Sequence, residues 1–380
     1  MLETSIAGSH RRPRTPDMPP RLLMGPGPST VHPRVLRAMA QPLVGHLDPS
    51  FIALMNEVQD LLRFVFQTAN ELTIPMSGTG SAGMEAVLCN FVEPGDSVLI
   101  GVNGYFGERL CDIASRYRAE VRRIERPWGD VFDADEIRKA LISKPAKLVI
   151  MVHGETSTGA LQPLEGMGEV VHRQGGLLAV DCVTSLGGVK VGLDEWEVDV
   201  AYSATQKCLS CPPGLAPLTV SPRAAEAFQR RKSKVANWYL DLAMLRRYWG
   251  TERTYHHTAP ITMNYALLEG LRLIQEEGLV ASFERHRLNA EMLWKGLADL
   301  GLRMHVPAER RLAPLTTVLV PDGVDGAEIR RKLLDQYNIE IAGGLGELTG
   351  RVWRIGLMGF SSRRENVLLL LAALKRLLER

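Results

Sequence analysis

Apolar residues along this chain fall into two textures: short, nearly continuous runs, and longer stretches in which they recur every three or four positions. Continuous runs suit strands buried on both faces, and the three-to-four spacing suits amphipathic helices. Residues 97–101 read as a strand, with a helix following around 108–117. Residues 147–152 read as a second strand, with a helix around 164–173. Strands over 177–180, 198–202 and 215–220 extend the series, and Met84, Val87, Leu88 and Phe91 mark one face of a further helix. Alternation of this kind predicts an α/β fold whose large, mostly parallel sheet is covered by helices on both sides. From about residue 281 the texture changes. A long charged helix is followed by a strand over 316–320, a helix near 327–337, a strand over 352–357 and a terminal helix. The expected organisation is an N-terminal arm (1–21), a large domain (22–280) and a smaller C-terminal α+β domain (281–380). The turn Met24-Gly-Pro-Gly-Pro28 marks the start of the folded body.

Composition narrows the function classes. A net charge of +2 gives no strong field for nucleic acid or an anionic membrane. The greasiest stretch, 367–374, is too short to span a bilayer and is flanked by charged residues, so it reads as an amphipathic helix. Five cysteines, an odd number, fit a reducing compartment, and the cytoplasm is the expected location. Cys208-Leu-Ser-Cys211 has knuckle spacing without a second pair, and Tyr255-His-His-Thr258 lacks a nearby carboxylate ligand, so no metal is expected. The segment with Arg11, Arg12, Arg14 and several prolines has no apolar h-region. It suits either a transit peptide or a loose arm that docks on a partner subunit.

The candidate chemistry gathers at strand ends. The strand over 177–180 runs into Asp181, and the strand over 198–202 leads through Ser-Ala-Thr-Gln206 to Lys207. In an open α/β sheet ligands sit outside the carboxyl ends of the strands, which brings the two side chains to one crevice. An aspartate and a lysine placed so suit pyridoxal 5′-phosphate. The amine bonds to the cofactor's aldehyde, and the carboxylate keeps the pyridine nitrogen protonated. A surface lysine and a structural aspartate would account for the pair equally simply.

Gly78-Thr-Gly80-Ser-Ala-Gly83 matches the dinucleotide pattern, but the next strand has no acidic residue at its tip to receive a ribose. A glycine loop opening a helix, with free N–H groups able to cup a monophosphate, is the simpler reading; a plain helix cap is the other. Phe106, in Asn103-Gly-Tyr-Phe-Gly107, could stack on a planar group or belong to the core. His153-Gly-Glu-Thr-Ser-Thr-Gly159 brings hydroxyls to the same sheet edge. Arg354 lies inside an apolar strand, where a guanidinium needs a carboxylate, either from the protein or from a substrate.

Taken together these segments resemble class V, fold-type I pyridoxal-phosphate aminotransferases, and among them the alanine–glyoxylate, serine–pyruvate and serine–glyoxylate enzymes. The resemblance runs from about Leu22 to the C-terminus. It rests on Gly25-Pro-Gly-Pro28, Ser77-Gly-Thr-Gly80, His153-Gly-Glu155, Val180-Asp181, Gln206-Lys207, Tyr255-His-His-Thr258 and Arg354-Ile-Gly356. It implies that Lys207 bonds the cofactor and that Asp181 partners its ring nitrogen. It further implies that Thr156 sits near the ring hydroxyl and that Val183 and Phe106 pack on the ring. Thr79, Gly80, Ser81 and Gln206 would hold the phosphate, with Tyr255 and Thr258 reaching it from the other subunit of a homodimer. Gly25 and Arg354 would face the substrate, Arg354 binding its carboxylate. Two positions depart from the animal members: Phe106 stands where they have tryptophan, and Ser81 where some have histidine. The expected reaction is ping-pong transfer of an amino group from alanine or serine to glyoxylate or pyruvate. The alternatives are a cysteine desulfurase or lyase of the same class, and a nicotinamide oxidoreductase using the glycine loop.

Overall fold

The computed structural model describes residues 18–379, so most of the arm expected over 1–21 lies outside the described residues. The largest sheet has seven strands: β1 (Leu72–Ser77), β2 (Ser97–Val102), β3 (Glu120–Glu125), β4 (Leu148–Val152), β5 (Leu177–Asp181), β6 (Val200–Tyr202) and β7 (Leu215–Val220). Their order across the sheet is β1-β7-β6-β5-β4-β2-β3. Only β7 runs against its neighbours; the others share one direction. The mostly parallel α/β sheet expected from the sequence is present.

Alternation along each strand divides the core between the two faces. Val98, Ile100, Leu148, Ile150, Leu177 and Ala179 pack on one side, with Met84, Val87 and Leu88 of helix α2 and Leu110 and Ala114 of helix α3. Leu99, Val149, Met151, Leu178 and Val180 pack on the other side, against helices α1 and α4. Here α1 is Pro49–Phe66, α2 is Gly80–Phe91, α3 is Tyr105–Arg116 and α4 is Ile261–Glu277. Both faces are covered, which is why these strands read as unbroken apolar runs.

Two strands of this seven-stranded sheet were not predicted, and both lie at its edges. β1 contains Pro75, tolerated at an edge because its missing N–H would point away from the ladder. β3, Glu-Val-Arg-Arg-Ile-Glu, is mostly charged and partly exposed, which discourages a further strand from pairing with it.

The C-terminal part contains α5 (Leu279–Asp299), β8 (Leu315–Leu319), α6 (Gly326–Tyr337), β9 (Ala342–Gly343), β10 (Val352–Gly356) and α7 (Arg364–Leu378). The three strands form an antiparallel sheet in the order β8-β10-β9. Its core includes Leu293, Leu297, Val318, Leu333, Ile355 and Leu370, and Met24 joins it from far upstream. Leu22–Leu23 pairs in parallel with Ile339–Glu340, and Gly356 N donates to Met24 O at 2.7 Å. These bonds carry the Gly25–Pro28 turn to the end of β10, where it also meets Lys207.

Candidate active site

The C-terminal ends of β4, β5 and β6 and the first turns of α2 and α3 enclose a cavity of about 190 Å³. Alternation from Leu177 and Ala179 carries Asp181 onto the face that supports α2 and α3. Asp181, Val183, Gln206 and Lys207 line the cavity from the strand ends. Thr79, Gly80 and Ser81 enter from the start of α2, Phe106 from α3, and Thr156 from the loop after β4. The sequence motifs, scattered over more than 120 positions, therefore converge. A larger cavity of about 330 Å³ opens beside Cys208 and Ser210, but its Arg285 is already paired with Glu277 and two backbone carbonyls. Chemistry, rather than size, favours the smaller one.

Burial governs the charges at the site. The Lys207 ammonium is disfavoured by desolvation and then by the Arg354 cation, which lowers its pKa to about 8. Its Nζ donates to the Pro26 carbonyl. Desolvation raises the Asp181 carboxyl to about 6, against the opposing pull of the Val183 N–H and the Tyr202 hydroxyl. Glu155, wholly buried, is raised to about 7 by desolvation, with Asp181 adding to the effect. Its Oε1 accepts from Ser157 N and Oγ, and its Oε2 from Phe106 N at 3.2 Å. One carboxylate thus ties the loop after β4 to the first turn of α3.

The first turn of α2 bears on the glycine loop. Thr79 is its N-cap but makes no side-chain capping bond, so the leading N–H groups lack the usual local acceptor. The Gln206 side-chain oxygen is buried in the same cavity without a hydrogen-bond partner. Turned about its last torsion, that amide presents an NH₂ group instead. An uncapped helix start of twelve residues beside an unsatisfied amide suits a phosphate monoester. The residues present therefore fit the phosphorylated cofactor expected from the sequence.

Four of the expected site residues lie outside the cavity lining. Arg354 is 5 % exposed on β10; its Nε donates to Gly343 O at 2.7 Å and its Nη1 to Thr156 O at 3.1 Å. No carboxylate pairs with it among the described residues. Burial lowers its pKa to about 10. The internal salt bridge that would have explained this arginine is absent among the described residues, which leaves unused donors on its fork. Gly25 lies against Gly356, where a Cβ would collide with its carbonyl. Tyr255 and Thr258 are exposed. Between them His256 and His257 face each other through Nδ1 atoms 2.8 Å apart, and His257 Nε2 meets Ser77 Oγ at 2.6 Å. That contact anchors the Tyr255–Thr258 segment to the strand that leads into the glycine loop.

Sequence reasoning missed three groups. Arg109 lines the cavity with its guanidinium 4.8 Å from the Phe106 ring centre and Nη1 3.5 Å from Ser81 Oγ. The available signal was its i+3 spacing from Phe106. Tyr202 donates to Asp181 Oδ2 at 2.7 Å. Glu155 stood inside a recognised motif without an assigned role. Cys208 and Cys211 are buried thiols bonded to backbone carbonyls, and burial pushes each up to about 12. That is the opposite of a reactive thiolate. Among the described residues no group of three or more His, Cys, Asp or Glu has a metal-binding arrangement.

(S)-Ureidoglycine–glyoxylate transaminase of Bacillus subtilis is 44% identical over 380 residues, covering 95% of this chain and 91% of that protein. Alanine–glyoxylate aminotransferase of Callithrix jacchus is 43% identical, covering 95% and 88%. The crystal structure of an alanine–glyoxylate aminotransferase from Nostoc sp. superposes with a TM-score of 0.96 at 58% identity, covering 99% of this chain and 100% of that one. The family pattern of aminotransferase class-V matches residues 22–360, and with Lys207, Asp181 and the glycine loop assembled at one sheet edge, the chain belongs to the class-V aminotransferases.

Proposed function

We propose that this aminotransferase uses pyridoxal 5′-phosphate to move the amino group of a small amino acid, alanine or serine, to glyoxylate or pyruvate. The observation that carries the reading is Lys207 together with the buried Asp181 in one cavity beside an uncapped helix start. When bound, the cofactor supplies an electron sink for the electron pair left at the substrate's α-carbon. The N–H groups of Gly80 and Ser81, with Thr79 and Gln206, would hold the phosphate. Phe106 and Val183 would pack against the ring, Thr156 would meet its hydroxyl, and Asp181 would keep a proton on its nitrogen.

Lys207 moves the proton. With its pKa near 8, a useful fraction of Nζ is neutral at physiological pH and can take a proton from the substrate's α-carbon. Arg354 donates its unused N–H groups to the substrate's α-carboxylate, beside the Gly25 turn. Arg109, the guanidinium that lines the cavity, reaches toward Ser81 at the phosphate end, which leaves the substrate's far end without a cation from the cavity lining among the described residues. Small side chains are favoured for that reason. The donor departs as a 2-oxo acid before the acceptor enters, giving ping-pong kinetics.

The same reading includes a homodimer with shared sites. Tyr255 and Thr258 would complete the neighbour's phosphate cup, which accords with their exposure and their absence from their own chain's cavity. Exposed Trp238 and Tyr239 pack on the His256–His257 pair that follows Tyr255 in the chain, and the exposed Tyr255 ring lies against His46, aromatic surface of the kind that association covers. A large domain over 22–280 and a small one over 281–380 would place each site at their boundary. No helix among the described residues is long and apolar enough to cross a membrane, and a cytoplasmic location is part of the proposal.

A panel of donors against glyoxylate and pyruvate tests the assignment, with the cofactor confirmed by its visible absorption. The donors are alanine, serine, glutamate and (S)-ureidoglycine, the last because the Bacillus subtilis relative is named for it. Alanine or serine with glyoxylate is the expected best pair. Faster turnover of glutamate than of alanine or serine with glyoxylate overturns the substrate assignment, and sulfide release from cysteine favours the desulfurase alternative.

A further inference from the structure

Asp181 divides its carboxylate between two donors of its own chain. Val183 N reaches Oδ1 at 2.8 Å, and the Tyr202 hydroxyl reaches Oδ2 at 2.7 Å. Each oxygen keeps a lone pair free for a third partner in the cavity. The contact follows from sheet register: β5 and β6 are parallel with Asp181 opposite Tyr202, so both side chains leave the same face. Tyr202 is wholly buried. A buried hydroxyl needs a partner, and Asp181 is the one the fold provides.

Helix α2 closes over the tyrosine. A Cβ built at Gly83 would lie 3.0 Å from Tyr202 Cβ and 3.3 Å from its ring. The third glycine of Gly78-Thr-Gly80-Ser-Ala-Gly83 therefore has a packing reason unrelated to dinucleotides. It lets the helix that begins at the glycine loop sit directly on the ring that holds Asp181.

We propose that Tyr202 is a positioning residue for the transamination: its hydroxyl fixes the Asp181 carboxylate and holds it in the charged form, and Gly83 keeps the tyrosine clamped in place. The role of Asp181 toward the cofactor's ring nitrogen rests on the reading given above; the Tyr202–Asp181 relation does not.

The surroundings of Asp181 leave this hydroxyl a distinct part to play. Lys207 and Arg109 favour the carboxylate from the cavity side. Glu155, raised to about 7 by burial and by Asp181 itself, is largely protonated where Asp181 ionises, and Cys182 beside it stays a neutral thiol because burial pushes that group up. His153 gives its backbone N–H to the Asp181 carbonyl, and burial lowers its ring to about 3, so it brings no charge. Tyr202 supplies the one side-chain hydrogen bond to the carboxylate among the described residues. Its phenol, buried beside a carboxylate, is itself pushed well above the ordinary tyrosine range, so the shared proton stays on the tyrosine. Without that hydroxyl, Asp181 keeps a single backbone donor, is free to turn about its last torsion, and holds its charge less firmly.

Tyr202→Phe removes the one atom concerned. In the cofactor-free full chain, the Asp181 carboxyl is followed by infrared spectroscopy, its band identified by difference against Asp181→Asn. It is expected to titrate about one pH unit higher in the variant, the scale of one charge-assisted hydrogen bond. In the holoenzyme kcat should fall about tenfold with little change in KM, and the acid limb of kcat/KM should move up by about one unit. In an Asp181→Asn background the same change should cost less than about twofold, because the charge it serves is gone. A packing role would instead give additive losses. If Tyr202→Phe does not fold, 3-fluorotyrosine placed at 202, a stronger donor of nearly the same shape, should move the Asp181 titration downward. An unchanged Asp181 titration and acid limb, or additive losses in the double variant, overturns the proposal. Absence of a visible cofactor band in the parent defeats the cofactor reading instead, and the carboxyl titration still decides the role of Tyr202.

Discussion

Lys207 Nζ donates to the carbonyl of Pro26, 181 residues earlier in the chain, and Gly27 lies directly against the same nitrogen. Gly27 has a φ of +108°, and a Cβ there would collide with Nζ and the last carbons of the lysine. The glycine turn is thus the seat in which the reactive amine rests. Gly27→Ala meets a disfavoured backbone conformation and pushes the flexible end of Lys207 out of this seat. It should reduce kcat by about tenfold or more, the effect of displacing a reacting group by an ångström or so. Global stability, read by thermal unfolding, should fall far less. An alanine variant with parental kcat would show that the turn does not position the lysine.

Lys207→Ala should still take up the cofactor through the phosphate contacts while losing at least about 10³-fold in turnover, since both the covalent anchor and the proton carrier are gone. Borohydride should fix the cofactor to the parent and not to the variant. Unchanged labelling of the variant would place the anchor on another residue.

Much of this site was legible in the sequence because the chemistry sits where strands end. The runs before Asp181 and Lys207 announce their positions, and the uncapped helix after Ser77 follows from its glycines. Arg109 had only one signal in the sequence, its place three residues after Phe106. Its spacing on α3 is that of a solvent-facing arginine, and only the seating of α3 against the loop after β4 turns it into the cavity. Tyr202 resembled an ordinary core aromatic at the end of a strand; its role depends on register, which alternation within one strand does not reveal. β1 and β3 escaped notice because edge strands tolerate the proline and the charges that argue against a central strand.

Glu155 makes the cofactor-free protein's stability depend on pH. Burial raises its pKa from the ordinary 4.5 to about 7, so between those values the folded chain holds a proton that the unfolded chain has released. The stabilising contribution is complete below about pH 4.5 and is lost as pH rises through about 7, by roughly 3 kcal/mol in all. Glu155→Gln cannot titrate and should lack this slope. Urea unfolding of both proteins between pH 5 and 8 should show the parent losing ground to the variant as pH rises. A constant difference across that range would mean that Glu155 is not raised.

Tyr255 and Thr258 supply a test of assembly. Each is exposed and apart from its own cavity, so a monomer would lack part of the phosphate cup. An inactive Lys207→Ala chain mixed with an inactive Tyr255→Ala/Thr258→Ala chain should regain activity, because one site of the hybrid dimer is wholly native. Random pairing makes half of all dimers hybrid, so recovery to about a quarter of parental activity is expected, in line with closed two-fold symmetry. Hybrids verified by mass yet inactive would rule out shared sites.

The role proposed for Arg354 would separate substrate binding from cofactor binding. Its Nε and Nη1 are held by the carbonyls of Gly343 and Thr156, which orient the fork and leave its remaining donors free. A planar fork can give a carboxylate two parallel hydrogen bonds, whereas an ammonium acts as a point charge. Arg354→Lys should therefore raise KM by about 10- to 100-fold for amino acids and oxo acids alike, the loss of one charge-assisted bond and of orientation. The visible spectrum of bound cofactor should stay close to parental, because Arg354 meets Thr156 through its backbone carbonyl and not through the side chain proposed to face the ring. The base form of Lys207 should also increase slightly at a given pH if the new ammonium comes closer to it, since the Arg354 cation already lowers that pKa. A variant whose KM rises for the amino donor but not for glyoxylate would show that the two substrates place their carboxylates differently, and would remove Arg354 from the acceptor half of the reaction.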